Sequence, residues 1–533
     1  MEPLDRTYMK KKSIIQAYGD ATSLSEIWGS PGSPTVVPIC GFGGSYAISI
    51  HLRGRGWSAV KAAGERLKMK EATKSLGSAR PIANAERIKA IAFSPGTLYS
   101  WIVVLFLMLL NTSSAIDRTV ISLLVKPIRA DLGITDTEFS MVTGLAFAAM
   151  YSIAGLPMGI LIDRWSRRTI MSFGVAGWSI MTAACGLATT FWRLFAFRVG
   201  VGIGEATLSP AAYSLIADYF PRNKLGRALS VYGISGALGA GLALLIGATV
   251  IGAISRVVLV LPLIGTIKPW QAVLFAVGLP GIALALLTML VVREPPRHTL
   301  TAAAAESGDE EATFRAAMRY VWSNRGIYAP LFVGMGLIVM FGYGSNVWYP
   351  AFLQRAHGFS LVGSGRFWGL SLLILGITGT ITAGSLADWM VAKGRRDGHF
   401  IVAMIYGVGN VVCGMGTGLT VSVPWLSLGF AAATGFFCNT IVGVMAAAIQ
   451  IVTPNRMRGK ISALYILTAA FIGYAFGPTA IAASTDYIFH DDAAVGYSIA
   501  LVAFVFPTLG VLILQRGRMP MIRWCAAHAE SFK

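Results

Sequence analysis

The chain has 533 residues, 55% of them hydrophobic and only 13% charged, with a mean hydropathy of +0.64 and a formal net charge of +19. Soluble domains carry about 25% charged residues, so this composition excludes an ordinary soluble protein and places the chain in a bilayer. The positive surplus is concentrated in a tail and in alternate loops, so it does not point to nucleic acid as a partner.

Residues 1–95 hold fourteen Lys and Arg, seven Asp and Glu, and the Gly/Ser/Pro-rich stretch GSPGSPT. The apolar patch VVPICGFGGSYAISI is too short and too rich in glycine to span, and no convincing cleavage site follows it. This segment is expected to be a disordered, basic cytosolic tail; initiation near Met69 is the equal alternative. The five cysteines are scattered, with no ligand spacing, and read as small apolar fillers.

From residue 97 on, apolar runs of membrane-crossing length recur at 97–123, 139–162, 169–190, 192–214, 227–252 and 270–292. A second set follows at 328–352, 363–387, 400–419, 424–451, 461–484 and 495–515. Helices satisfy their own backbone in lipid, and no alternating barrel pattern is present, so the chain is expected to be an all-α membrane protein. Twelve transmembrane helices then form two six-helix bundles, over residues 96–292 and 328–515. A cytoplasmic linker (293–327) joins them, and a basic cytosolic tail (516–533) ends the chain.

Orientation follows from the basic loops. Counting the first turn of the run that follows, those after helices 2, 4, 6, 8 and 10, and the C-terminal tail, carry three to five Lys or Arg each; those on the other side carry two or fewer. Both termini are therefore expected in the cytoplasm. The halves echo one another, FPRNKLGRALSVYG before helix 5 matching TPNRMRGKISALYI before helix 11. Such a parallel duplication makes the two bundles pseudo-symmetric, as in many transporters.

In helix 1, NTSSAIDRTV sets Asp117 beside Arg118 in an otherwise apolar run. Adjacent helical residues point about 100° apart, so the two cannot aim at one spot. After helix 2, GILIDRWSRR brings Gly159, Asp163, Arg164, Arg167 and Arg168 to one helix end. The glycine admits a neighbouring helix, the aspartate can cap a facing helix, and the arginines can latch the two halves as a cytoplasmic gate. A positive-inside anchor is the simpler reading, which the spacing and its echo GSLADWMVAKGRR make the weaker one.

At these residues the chain resembles the major facilitator superfamily, whose signature G-x-x-x-D-R-x-x-R-R lies between helices 2 and 3. The resemblance covers everything after the tail and implies the major facilitator fold. In the second copy Trp389 replaces the first arginine and the basic cluster sits later.

Helix 4, FRVGVGIGEATLSPAAYSLIADYF, holds Gly200, Gly202 and Gly204 inside an apolar helix with no strand before it. This is a packing pattern, not a nucleotide loop. Arg198 and Glu205 share a face about 10.5 Å apart along the axis, too far for a tight bond to each other. The economical arrangement sets Asp117 towards Arg198 across helices 1 and 4, with Glu205 and Arg118 in the same cavity. Each charge costs about 2.5–3.5 kcal/mol at a helix centre, so none of the four is expected to face lipid. A static ion-pair network is the alternative to a proton-coupling role.

The helix 1 Asp-Arg, the Arg-x6-Glu of helix 4 and IADYFPRNKLGRALSVYGISGALGAGLA resemble the Spinster branch of that superfamily. The resemblance implies that Asp117, Glu205 and Arg198, with Arg118 beside them, line the cavity and couple transport to protonation. In helix 7, Tyr343 and Asn346 lie one turn apart and are the expected cavity contacts, whereas Trp348 and Tyr349 read as an interfacial belt. Asn439 and Gln450 in helix 10 read as interhelical glue, and Gly233, Gly236, Gly239 and Gly241 in helix 5 as packing.

The chain thus reads as a secondary active transporter of the cell membrane, monomeric, moving a small organic, anionic or amphipathic solute by alternating access with proton coupling. A proton-independent facilitator and a non-transporting sensor of the same fold are the alternatives. No Walker A motif is present, no nucleophile or HExxH constellation appears, and all six histidines lie in the tail or loops. Neither enzymatic activity, a cofactor nor a metal is expected; the partners are substrate, protons and lipid.

Overall fold

The computed structural model describes residues 35–41, 44–50, 97–220, 222–254, 259–261, 265–295, 310–438, 442–454 and 457–528. Residues 1–91 and 92–533 form separate compact units. In the first, β1 (Thr35–Gly41) pairs antiparallel with β2 (Gly44–Ile50), so the apolar patch of the tail is a hairpin. The disorder expected for the rest of residues 1–95 concerns positions outside the described residues.

The second unit is a bundle of twelve spans. Spans 1, 3 and 6 are Thr97–Leu132, Arg167–Cys185 and Pro269–Val291. Span 2 runs over residues 136–164, span 4 is Phe191–Glu205 followed by Leu208–Tyr219, and span 5 is Arg222–Gly233 followed by Ser235–Ile254. Spans 7, 8 and 9 are Arg325–His357, Leu361–Ala392 and Gly398–Leu419. Span 10 is Pro424–Phe437 followed by Val442–Val452, and spans 11 and 12 are Arg458–Phe489 and Asp492–Ala527. A short hairpin, β3 (Leu259–Leu261) with β4 (Gly265–Ile267), joins spans 5 and 6. Leucines and phenylalanines such as Leu98, Phe173, Leu286 and Leu290 point outward, as a lipid-facing surface requires.

Several span ends differ from the sequence reading, among them those of spans 1, 2 and 12. Span 1 continues past residue 123 through a tightened turn, Val120–Leu124, and a further helix to Leu132, where Gly133 closes it at φ 64°. Span 2 begins at Asp136 on a capping box, with Thr135 accepting from the Glu138 amide and the Glu138 carboxylate accepting from the Thr135 amide. Apolar counting stops at the first charges, whereas the helices run on past them. Span 12 likewise extends to Ala527, so most of the expected C-terminal tail is helix. Within the linker, Glu310–Ser323 is helical and its Tyr320 hydroxyl donates to the Val452 carbonyl at the end of span 10.

Glycine sets how closely the spans approach. A Cβ on Gly202 would lie 2.6 Å from the Phe147 carbonyl of span 2, and one on Gly204 2.7 Å from the Trp178 amide of span 3. The glycine pattern of span 4 therefore packs the site-bearing helix against two neighbours, as expected from the sequence. Gly204→Ala is expected to lower stability by about 1–3 kcal/mol, read as a reduced thermal midpoint in detergent; an unchanged midpoint would count against this packing role. In span 5, a Cβ on Gly239 would meet Ala115 and Thr112 and one on Gly241 would meet Gly369 and Leu373, whereas on Gly233 or Gly236 it would meet no described residue within 4 Å.

The halves touch along two seams. Gly144 of span 2 lies against the Tyr474 carbonyl of span 11, and Gly241 of span 5 lies against Gly369 of span 8, with Gly365 of span 8 set against Leu244 and Ala248. An apolar core bridging the halves, with Leu123, Phe139, Phe341, Trp348 and Phe352, sits towards the face away from residues 97 and 527. Trp348 and Tyr349 belong to this core, not to an interfacial belt: the Trp348 indole donates to the Pro478 carbonyl, and Tyr349 stacks on Trp368. Among the described residues, contacts between the halves concentrate towards the face away from the termini.

Candidate functional site

Four ionisable side chains expected to avoid lipid do so. Asp117, Arg198 and Glu205 are 1%, 2% and 1% exposed, and the Arg118 side chain is 17% exposed. Span 1 supplies Asp117 and Arg118 from the last turn of its first helical segment; span 4 supplies Arg198 and Glu205 just before its break at residues 206–207. At that break Thr207 donates to the Gly204 carbonyl, and the chain restarts as Leu208–Tyr219.

The pairing differs in one respect from the sequence expectation. Arg118 Nε lies 3.3 Å from Glu205 Oε2, which also accepts from Ser114 at 2.6 Å, so these two form the ion pair of the site. Arg198 reaches Asp117 only through the main chain, Nη1 donating to the Asp117 carbonyl at 3.4 Å. Among the described residues, neither carboxylate oxygen of Asp117 has a hydrogen-bond partner, nor do Arg198 Nε and Nη2 or the Trp178 indole nitrogen, although Arg198 and Trp178 flank the carboxylate. The cause is geometric: Asp117 points into the N-terminal half, and Arg118, about 100° round the helix, points towards the other half.

Aromatic rings surround the charges. Arg118 lies 5.5 Å from the Phe147 ring centroid and 5.8 Å from that of Tyr474, and Arg198 lies 5.7 Å from Phe147. Tyr474 of span 11 stacks on Tyr343 of span 7 with centroids 3.7 Å apart. Tyr343 and Asn346 are both half-buried, and Asn346 Oδ1 has no partner. The structure thus brings Arg118, Glu205 and Tyr343 to one place between the halves, ringed by Phe147, Tyr151 and Tyr474. Sequence reasoning missed these three aromatics, because a lone ring in an apolar run has no signature; only Tyr343 was found, through its spacing to Asn346.

The residues expected to latch the halves are placed elsewhere. Arg167 is 2% exposed and donates to Glu294 at 2.8 Å, to Ser214 at 2.8 Å and to the Pro295 carbonyl at 3.3 Å, and pairs with Asp218. Glu294 also accepts from the Arg168 amide and the Ser166 hydroxyl. These partners lie in span 4 and at the start of the linker just after span 6, so in this conformation Arg167 and Arg168 tie the loop after span 2 to span 4 and to the end of span 6. A Cβ on Gly159 would meet no described residue within 4 Å and Arg164 is exposed, so neither latches the halves in this conformation; the Asp163 side chain lies outside the described residues. Gln450 bonds Ser462 of span 11, as interhelical glue should, and Asn439 lies outside the described residues.

A twelve-span bundle of two six-span halves, meeting around buried charges at mid-depth, is the architecture of a secondary transporter. Residues 107–478 match the Major Facilitator Superfamily, and the chain belongs to that family. It is a multi-pass membrane transporter, not an enzyme, and it resembles the Spinster branch. An MFS-type efflux pump of Mycolicibacterium smegmatis is 27% identical over 413 residues, covering 77% of this chain and 90% of that protein. Human protein spinster homolog 1 is 26% identical over 455 residues, covering 77% of this chain and 79% of the relative. A solved bacterial homologue of the human lysosomal transporter Spinster, inward-facing and unoccupied, superposes with a TM-score of 0.65 at 24% identity, covering 82% of this chain and 98% of the other.

Proposed function

We propose that the chain is a proton-coupled secondary transporter of a small amphipathic organic anion, with Asp117 and Glu205 as proton-coupling groups, working in the cell membrane with both termini cytoplasmic. The basic loops on the face bearing the termini support that orientation. With that face inside, the halves are closed towards the outside and parted towards the cytoplasm.

The observation that carries the reading is the Asp117 carboxylate, 1% exposed with neither oxygen hydrogen-bonded. Ionisable groups within a membrane span mark proton and substrate paths, and Asp117 is the carboxylate here that is held in no ion pair among the described residues. Glu205 is its complement, an anion held by Arg118 and Ser114 and able to release Arg118 when it gains a proton. Arg118, freed in this way, can take an anionic group of a substrate, and Tyr343, Tyr474 and Phe147 offer rings for its apolar part. Import and export are both compatible with this cycle.

The test is uptake of a panel of organic anions into proteoliposomes, with and without an imposed pH gradient. Gradient-dependent accumulation is expected, and flux that ignores the gradient would leave a facilitator. For the substrate found, Arg118→Gln is expected to weaken half-saturation about 10- to 100-fold, the worth of a hydrogen bond to a charged group; an unchanged value would remove Arg118 from recognition.

A further inference from the structure

At the face away from the termini, two arginines and two aspartates form a closed ring that crosses between the halves. Asp136, at the start of span 2, is fully buried and accepts from Arg355 at 2.6 and 2.7 Å. Arg129, at the end of span 1, lies 2.9 Å from Asp136 and 2.6 Å from Asp492. Arg355, at the end of span 7, closes the ring 3.9 Å from Asp492 and donates to its carbonyl at 3.4 Å. Beside it, the Thr137 amide and hydroxyl both donate to Asp486 of span 11, at 2.7 and 2.6 Å.

We infer that this ring is a partner-exchanging outer latch: it holds the outer face shut through Arg355–Asp136 and Arg129–Asp492, and on opening leaves each half with an ion pair of its own. The inference rests on the rocking-halves reading above. Its physical basis is the order of charges around the ring. Arg129 and Asp136 belong to the first half, and Arg355 and Asp492 to the second. Separation breaks the two bonds that cross and keeps the two that do not. The alternative, a single pair across the interface, would leave each charge with water alone when parted, and with no ion pair of its own. Here Asp136 keeps Arg129 and regains water, and Asp492, with a side chain already 57% exposed, keeps Arg355. The carboxylates of Asp136, Asp486 and Asp492 lie within 4.8 Å of one another, so their mutual repulsion is offset only while both guanidinium groups lie among them. Such a latch is firm when closed yet open to release, as a gate that cycles requires.

The experiment measures distances between spin labels in the full chain, with native cysteines replaced, in lipid nanodiscs. One label pair, Lys126→Cys with Tyr487→Cys, reports the outer face; a second, Lys224→Cys with Arg396→Cys, reports the opposite face. All four positions are exposed. Asp136→Asn and Arg355→Gln are each expected to shift the outer pair towards longer distances, raising the open-to-closed ratio by about 10- to 100-fold. The double variant is expected to shift it no further than the larger single effect, since both remove one interaction. Arg193→Gln, an exposed outer-face arginine bonded to Thr189 of its own half, is expected to leave the distances as in the parent. An outer distance unchanged in both single variants overturns the latch, as does a double variant whose shift is the sum of the two. A lengthened outer distance with an unchanged second pair keeps the latch and overturns the rocking motion; a lengthened outer pair with a shortened second pair supports both.

Discussion

Asp117→Asn is expected to lose accumulation driven by an imposed pH gradient, by on the order of 10-fold or more, while exchange of substrate between compartments at equal pH persists. The expectation follows from what the carboxylate touches. Neither oxygen accepts a hydrogen bond among the described residues, so the amide forfeits none, and the variant carries a neutral side chain of the same shape. What it loses is the ability to change charge, and with it the coupling between proton and substrate occupancy, a free energy typically worth 5- to 150-fold. The measurement is the accumulation ratio in proteoliposomes with and without the gradient, next to the thermal midpoint of the purified variant. Wild-type accumulation would remove Asp117 from coupling. If Glu205→Gln alone abolished it, the role would pass to the Arg118 pair.

The second large effect concerns Arg198. It is 2% exposed, bonds the Asp117 carbonyl and sits over the Phe147 ring, and is the nearby positive charge on the Asp117 side of span 1. Arg198→Gln removes one member of a buried charged set and is expected to lower stability by about 3–5 kcal/mol. Asp117→Asn in the same chain should restore a large part of that loss, because the charge left stranded is then gone. Thermal unfolding of the two single variants and the double variant in detergent measures the coupling. Strictly additive losses would mean that the two residues do not sense one another.

The architecture was largely legible because lipid imposes it: a span needs about 20 apolar residues, and the runs from residue 97 onward supply them. Asp117, Arg118, Arg198 and Glu205 stood out for the same reason, each being a charge where the solvent is hydrocarbon. Which charge meets which was not legible. Placing Arg118 on Glu205, and leaving the Asp117 carboxylate unpartnered, depends on the rotation of spans 1 and 4, which no spacing within either helix determines. The outer ring was missed for a different reason. Arg129, Asp136, Arg355 and Asp492 lie at span ends, where charges are ordinary, and their pairing exists only once the halves are docked. Apolar counting also ended span 1 before Arg129, hiding the helix that carries it.

Where Gly144 meets the Tyr474 carbonyl and Gly241 meets the Gly369 carbonyl, the two halves bring main chain close to main chain. Such a joint has few interdigitating teeth, so nothing there must disengage before one half rolls over the other, and the friction of the transport cycle falls on the charged rim instead. A single added methyl at Gly144 or Gly241 would act as a wedge in a bearing, slowing turnover with every binding residue intact.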